Sequence, residues 1–207
     1  MDAERGATLT NIVSKERYFE TALDALARVG FKGLNIRLMC TALGVTSGSF
    51  YHHFGNWQGF VDALFAHWEH RQERILRDLA FGELGPAEDI EALRKLTLGL
   101  PHAAEGAIRA WGMNDPSVWE VQHRVNHARR KTVEKAIQRV VGDPKTARVV
   151  TSVGMAMLVG YQQLEVSGDD KADLEQMLNE YLQEMVLSRS PQPSAARDTR
   201  HPATKTG

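Results

Sequence analysis

The 207-residue chain has one cysteine, Cys40, so no intrachain disulfide can staple it and its fold must rest on packing. No apolar run approaches the roughly 18 residues needed to span a bilayer, and the opening MDAERGATLT lacks the apolar centre of a signal peptide. A cytoplasmic protein with no membrane partner is therefore expected. Charge of one sign is also missing: the net is -1, too little for a basic field that coats nucleic acid indiscriminately. The chain contains no phosphate-binding P-loop, dinucleotide glycine fingerprint, His-Glu-x-x-His zinc motif or Gly-x-Ser-x-Gly elbow, which removes the usual motif-borne enzyme chemistries. No stretch argues for a strand and no segment repeats. No cofactor and no structural or catalytic metal are expected.

What is present is a helix-forming chain with 43% hydrophobic residues, enough to bury a core. Residues 36–54, IRLMCTALGVTSGSFYHHF, organise the rest. Ile36, Met39, Cys40 and Leu43 recur at helical spacing and put four apolar side chains on one face. Gly44 ends that helix, because glycine takes the left-handed conformation at little steric cost, and Val45 plugs the corner. Thr46 or Ser47 can cap the short second helix, leaving first-turn backbone N–H groups for an anion. Phe50 faces inward and Phe54 closes the unit, while Ser47, Ser49, Tyr51 and His52 are left for solvent. Short hydroxyls and an aromatic with a polar tip suit phosphate oxygens and base edges.

This stretch resembles the DNA-binding domain of the tetracycline-repressor (TetR) family of bacterial transcription regulators, whose motif runs approximately T-V-R-x-I-A-x-x-A-G-V-S-x-G-x-L-Y-x-H-F. Ile36, Arg37, Met39, Ala42, Gly44, Val45, Thr46, Gly48, Phe50, Tyr51, His53 and Phe54 align with it without a gap. The resemblance implies a helix-turn-helix placed in the major groove by a homodimer, with Arg37, Thr46, Ser47, Ser49, Tyr51 and His52 facing DNA. Two positions depart from it. Ser47 and Trp57 stand where the family often carries lysine, so phosphate affinity there must come from elsewhere. The charges of the first 56 residues nearly balance, with Arg5, Lys15, Arg17, Arg28, Lys32 and Arg37 against Asp2, Glu4, Glu16, Glu20 and Asp24. Helix N-termini and hydroxyls must then supply much of the phosphate contact.

In chain order, residues 1–10 read as a flexible arm with Arg5 as its one cation, and 11–56 as the DNA-binding domain. Its support helix spans 11–29, with Ile12, Phe19, Leu23, Leu26 and Ala27 in period and Gly30 as the stop; Phe31 and Leu34 fill the gap to the motif. Asn56 caps a connecting helix within 57–82, whose inward row is Phe60, Leu64, Trp68, Ile75 and Leu79. Touching both halves of the chain, that helix is a natural lever. After a break at 82–86, helices are predicted over 87–100, 103–111, 117–141, 146–166 and 171–187, separated by Pro101, Asn114-Asp115-Pro116, Gly142-Asp143-Pro144 and Ser167-Gly168-Asp169. The fold class is thus all-α, with about nine helices in an N-terminal helix-turn-helix domain and a C-terminal helical domain. Residues 189–207, rich in Pro, Ser, Thr and charge, read as a disordered tail.

By the resemblance, 83–188 form the ligand-binding and dimerisation domain. The segment AIRAWGMNDPSVWEVQHRVNHARR, with its Asp-Pro break and paired arginines, resembles one branch of the family. The last two helices carry more apolar surface than one small domain buries, and small residues including Gly154 and Gly160 permit close helix approach. A homodimer through a four-helix bundle is expected, with Val153, Met157, Gly160, Met177 and Tyr181 at the interface. Trp111, Trp119, His123, Met155 and Tyr161 are candidates for lining a cavity for a largely apolar effector.

The expected function is a ligand-responsive repressor acting on a pseudo-palindromic duplex DNA operator. The competing class is an all-helical, ferritin-like metal-carboxylate enzyme: Glu120 and His123 form one Glu-x-x-His unit, but the second unit that chemistry needs is missing. His123 with His127, and His67 with His70, have metal-sharing spacing but no third ligand near in sequence. A nonspecific architectural DNA binder is disfavoured by the near-neutral charge.

Overall fold

The computed structural model describes residues 13–79, 82–83, 85–164 and 171–189, without the side chain of Lys171. The expected arm at 1–10, the first residues of the support helix including Ile12, the Ser167-Gly168-Asp169 break and all of the tail beyond Arg189 lie outside those residues. Among the described residues there are nine α-helices and no strand, and no helix is long and apolar enough to cross a membrane.

Helix α1, Lys15–Gly33, starts where the Ser14 hydroxyl accepts the Arg17 N–H at 3.3 Å. It buries Tyr18, Phe19, Ala22, Leu23, Ala25 and Leu26. The expected stop at Gly30 is a kink: its φ of 66° breaks the helical path, and one further turn runs to Gly33. Helix α2, Ile36–Leu43, is capped by Asn35 and ends at Gly44, whose φ of 65° and ψ of 33° are left-handed. There the Val45 N–H reaches back to the Cys40 carbonyl at 3.0 Å, which fixes the sharp turn. Helix α3, Ser47–Phe54, is capped by Thr46, whose hydroxyl accepts the Ser49 N–H at 3.4 Å, so Thr46 takes the capping role that the sequence left between two residues. Helix α4, Trp57–Asp78, opens on the Asn56 cap. A side chain at Gly59 would collide with the Phe54 carbonyl, so glycine is what lets α4 leave α3 so tightly.

The core of this end is aromatic. Phe60 meets Phe50 and Phe54 at centroid distances of 5.2 and 5.0 Å, and Tyr18 stands edge-on to Phe54 at 5.3 Å. Each such pair contributes about 0.5–1.5 kcal/mol beyond its buried area. Cys40 is buried in the same cluster, and burial pushes its thiol pKa up.

The C-terminal part comprises α5 (Pro86–Leu98), α6 (His102–Gly112), α7 (Pro116–Val141), α8 (Pro144–Gln163) and α9 (Lys171–Tyr181). Asp115 and Asp143 cap α7 and α8 with carboxylate oxygens, and each is followed by a proline already set for the first helical turn. The predicted single helix over 171–187 is instead α9, then a wide π turn over Leu182–Val186, then a 3-10 turn over Leu187–Arg189. A second core packs Ile90 and Leu93 of α5 against Ile137 and Val140 of α7, Val150 of α8, and Leu178, Leu182 and Val186 beyond.

The two halves share a core. Ile108 and Trp111 of α6 and Val118 and Val125 of α7 belong to the same buried cluster as the aromatics of α1, α3 and α4. Trp111 stacks on Phe31 at 6.1 Å and meets Phe65 edge-on at 5.3 Å. The N-terminal helices are therefore held by α6 on α1 as well as through α4 on α7. On the outside of that second contact, Arg124 of α7 grips Glu69 of α4 with two hydrogen bonds of 2.6 and 2.8 Å, and this holds the Glu69 carboxyl below its usual pKa.

Candidate functional site

The turn between α2 and α3 projects a row of side chains from a rigid aromatic base. Phe50 is fully buried, and on its solvent side Tyr51 is 50% exposed with its ring edge-on to Phe50 at 5.8 Å. Arg37, Thr46, Ser47 and His52 are exposed. Ser49 differs: it is half-buried, and its hydroxyl accepts a 3.1 Å bond from the fully buried Tyr18. That bond ties α3 to α1 and leaves the other residues of the row to meet a partner. Arg37 is the one formal cation among the six residues, so this face offers hydroxyls, an imidazole, a phenol and the first-turn N–H groups of α3 to a phosphate-rich surface.

In the C-terminal part a cavity of about 50 Å³ lies between α5, α7, α8 and α9. Leu93, Leu100, Val133, Ile137, Leu158, Leu178 and Leu182 supply most of its wall, with Met155 and Met157. Of the five sequence-predicted ligand residues, Met155 alone lines it. Trp111 is in the shared core against Phe31 and Phe65, because its position on α6 faces the N-terminal helices. Trp119 is 51% exposed and stacks on the likewise exposed His123 at 4.9 Å, on the outer face of α7. Tyr161 is buried edge-on to His102 at 5.0 Å. The structure thus does not bring the five together.

The expected interface residues divide in the same way. Val153 and Met177 are exposed, and Gly160 faces open space with no atom within 4 Å of where a Cβ would sit. Val149 is exposed on the same face of α8, which extends the apolar stripe along the helix, and Leu164, just past its end, is exposed as well. Met157 and Tyr181 instead line the cavity, and the Tyr181 hydroxyl donates to the Val150 carbonyl at 2.8 Å.

Sequence reasoning missed a buried polar network beside the cavity. Arg129 of α7 donates to both carboxylate oxygens of Glu105 on α6, at 2.9 and 2.7 Å, and to the Gln72 side-chain oxygen on α4 at 3.0 Å. Gln162 of α8 donates to Glu105 at 2.8 Å and accepts from Arg109 at 3.1 Å. Among the described residues this is the one bond the Arg109 guanidinium makes, its buried Nε has no partner there, and burial pulls its pKa down. At Gly106 the α6 backbone approaches the Gln162 carbonyl so closely that a side chain would collide with it. The usable signal was that Arg129 lies on the inward row of Val118, Val125, Ala136 and Val140, where a lone charge requires a buried partner. That row does not name Glu105.

Glu120 and His123 both point outward from α7, not into a bundle interior as di-iron chemistry requires. His67 packs against the Phe19 ring at 4.8 Å, while His70 and His127 are exposed. Among the described residues, no three His, Cys, Asp or Glu side chains come together as a metal site.

A capped helix-turn-helix on an aromatic base is joined through one core to a helical domain with its own cavity, and solved transcriptional regulators share this architecture. Residues 19–64 match the family model "Bacterial regulatory proteins, tetR family". A transcriptional regulator from Rhodococcus sp. Rha1 has a similar structure at a TM-score of 0.68 and 20% identity, covering 86% of this chain and 98% of that one. A regulator from Saccharomonospora viridis in complex with choline gives a TM-score of 0.67 and 16% identity, covering 82% and 95%. The ketosteroid transcriptional regulator KstR2 of Mycobacterium tuberculosis gives 0.62 and 18%, covering 86% and 95%. No curated protein sequence matches the chain.

Proposed function

We propose that the protein is a homodimeric, cytoplasmic repressor that binds a pseudo-palindromic DNA operator and is released from it by a small, largely apolar effector. It acts by binding and carries out no catalysis. The observation that carries this reading is the exposed row of Arg37, Thr46, Ser47, Tyr51 and His52 over a buried Phe50, on a helix pair whose turn is fixed by Gly44. Such a row presents polar groups at the spacing of one helix face, which a major groove accepts. Ser49 completes the DNA-facing set by holding α3 in place through Tyr18. In a dimer the two recognition helices enter major grooves about 34 Å apart or a multiple of that.

The apolar stripe of Val149, Val153 and Gly160 on α8, with Leu164 just past its end and Met177 on α9, is the dimer face in this reading. The cavity is the effector site. Arg129 stands in its wall and holds α6 through Glu105 and α4 through Gln72, the two helices on which the DNA-binding end rests. A molecule that pushes α7 aside therefore strains both supports at once. A coupling of about 1–3 kcal/mol would lower operator affinity about 5- to 150-fold.

Selection of bound duplexes from a random library by the purified protein, at stated salt, tests the reading. Enrichment of a pseudo-palindrome supports it; binding that shows no preferred sequence and disappears at moderate salt counts against it.

A further inference from the structure

The polar side chains of the cavity wall, Arg129, Thr97 and Tyr181, each donate hydrogen bonds within the protein. The Arg129 terminal nitrogens are taken by Glu105 and Gln72. The Thr97 hydroxyl donates to the Leu93 carbonyl at 2.9 Å, and the Tyr181 hydroxyl to the Val150 carbonyl at 2.8 Å. The rest of the lining, including Leu93, Val133, Ile137, Met155, Leu178 and Leu182, is aliphatic or thioether. Among the described residues Tyr181 is the one aromatic ring in the wall, which makes no cage for a cation. Among the described residues no carboxylate lines it: Glu105 lies behind Arg129, which with Gln162 occupies both its oxygens.

We propose, resting on the effector reading of this same cavity, that its occupant is an uncharged aliphatic chain, and that the site discriminates against both a carboxylate and an ammonium head. A carboxylate would meet an arginine whose charge Glu105 already compensates through two hydrogen bonds, so it would enter the wall without a cation of its own. An ammonium would enter a wall offering neither acid nor aromatic cage. The shape of the space points the same way. At about 50 Å³ it is well below the roughly 300 Å³ at which small-molecule pockets begin, so the occupant must part the helices. Met155 and Met157, unbranched and rotatable, let the wall yield to a slender flexible chain more readily than to a rigid ring system.

The test is calorimetric titration of the full chain with 1-decanol, decanoate and decyltrimethylammonium, each below its self-association concentration, and with shorter 1-alkanols. The expected result is saturable binding of decanol, weakening about fourfold for each methylene removed. The two ionic analogues should bind roughly tenfold more weakly or less, since neither head finds a partner. Val133→Phe and Leu178→Phe, each checked for an intact fold by circular dichroism and urea unfolding, should abolish decanol binding by filling the space. Tighter binding of decanoate or decyltrimethylammonium than of decanol would overturn the proposal, as would no saturable binding of any alkanol, or decanol binding unchanged in whichever filled variant remains folded. Operator affinity is measured on the same samples without alkanol. Decanol binding without operator recognition would defeat the regulator reading and leave the chemical class of the site standing; operator recognition without decanol binding would do the reverse.

Discussion

Arg129 and Glu105 meet through two parallel hydrogen bonds, each residue only 2% exposed, and the pair joins α7 to α6 in the middle of the C-terminal helices. Breaking such a pair costs more than deleting it. Glu105→Leu leaves the Arg129 guanidinium buried with only a glutamine for company and should destabilise the protein by about 3–5 kcal/mol. Replacing both, as Arg129→Met with Glu105→Leu, should restore most of the loss, because it removes the uncompensated charge. Urea unfolding of the two single variants and the double variant measures this directly; equal losses in all three would mean that the pair contributes through packing alone.

On the proposed DNA face, Tyr51→Ala and Arg37→Ala should each weaken operator binding by about 1–3 kcal/mol, roughly 5- to 150-fold. Both side chains are exposed, so unfolding and oligomeric state should be unchanged. Fluorescence anisotropy with the selected duplex, beside sedimentation of the free protein, separates the two effects. Unchanged affinity would remove these residues from the DNA-facing set.

Gly160 offers a clean test of the dimer face. A Cβ there would meet nothing within 4 Å among the described residues, and its backbone is ordinary helix, so Gly160→Asp adds its charge at an open position of the proposed dimer face. It should convert a micromolar dimer into a monomer that unfolds reversibly. A variant still dimeric in analytical ultracentrifugation would place the interface elsewhere.

The environment of His67 predicts a pH dependence. Burial against Phe19 pulls its pKa below the ordinary 6.5; Glu16 opposes this and Arg71 and Arg74 reinforce it, with Glu20 again opposing. The unfolded chain therefore binds this proton more readily than the folded one, and the stability present above about pH 6.5 is lost as the pH falls towards the folded-state pKa. His67→Phe keeps the ring on Phe19 and removes the titration. The drop in urea midpoint between pH 7.5 and 5.5 should be smaller in His67→Phe than in the parent chain; an equal drop would assign the dependence to other groups.

Which parts of this molecule could be read from its residues follows from how local their causes are. Gly44, Asn56, Asp115-Pro116 and Asp143-Pro144 act within one turn of chain, and the helix ends they set were legible. So was the inward pointing of Phe50 and Phe54, since a helix of eight residues leaves little choice of phase. The far half of α4 was not. Periodicity assigned its inward row to Ile75 and Leu79, both only partly buried, whereas the buried residue there is Gln72, because Arg129, 57 positions further along, needs an acceptor. Composition also misdirects where a side chain suits two settings. Trp111, Trp119 and Tyr161 look like pocket aromatics, but they fill a core, coat a surface and pair with a histidine, because each lies on a different face of its helix.

The stacking of Phe31 on Trp111 bears on how far this protein can be treated as interchangeable parts. A hybrid made by splicing residues 13–79 onto another regulator's sensor would leave Phe31, Phe65 and Trp68 facing a foreign helix in place of α6. The graft that keeps its seam dry must carry Ile108, Trp111, Val118 and Val125 with it. In this chain the portable N-terminal unit therefore ends well inside α7, and the first half of the C-terminal helices travels with it.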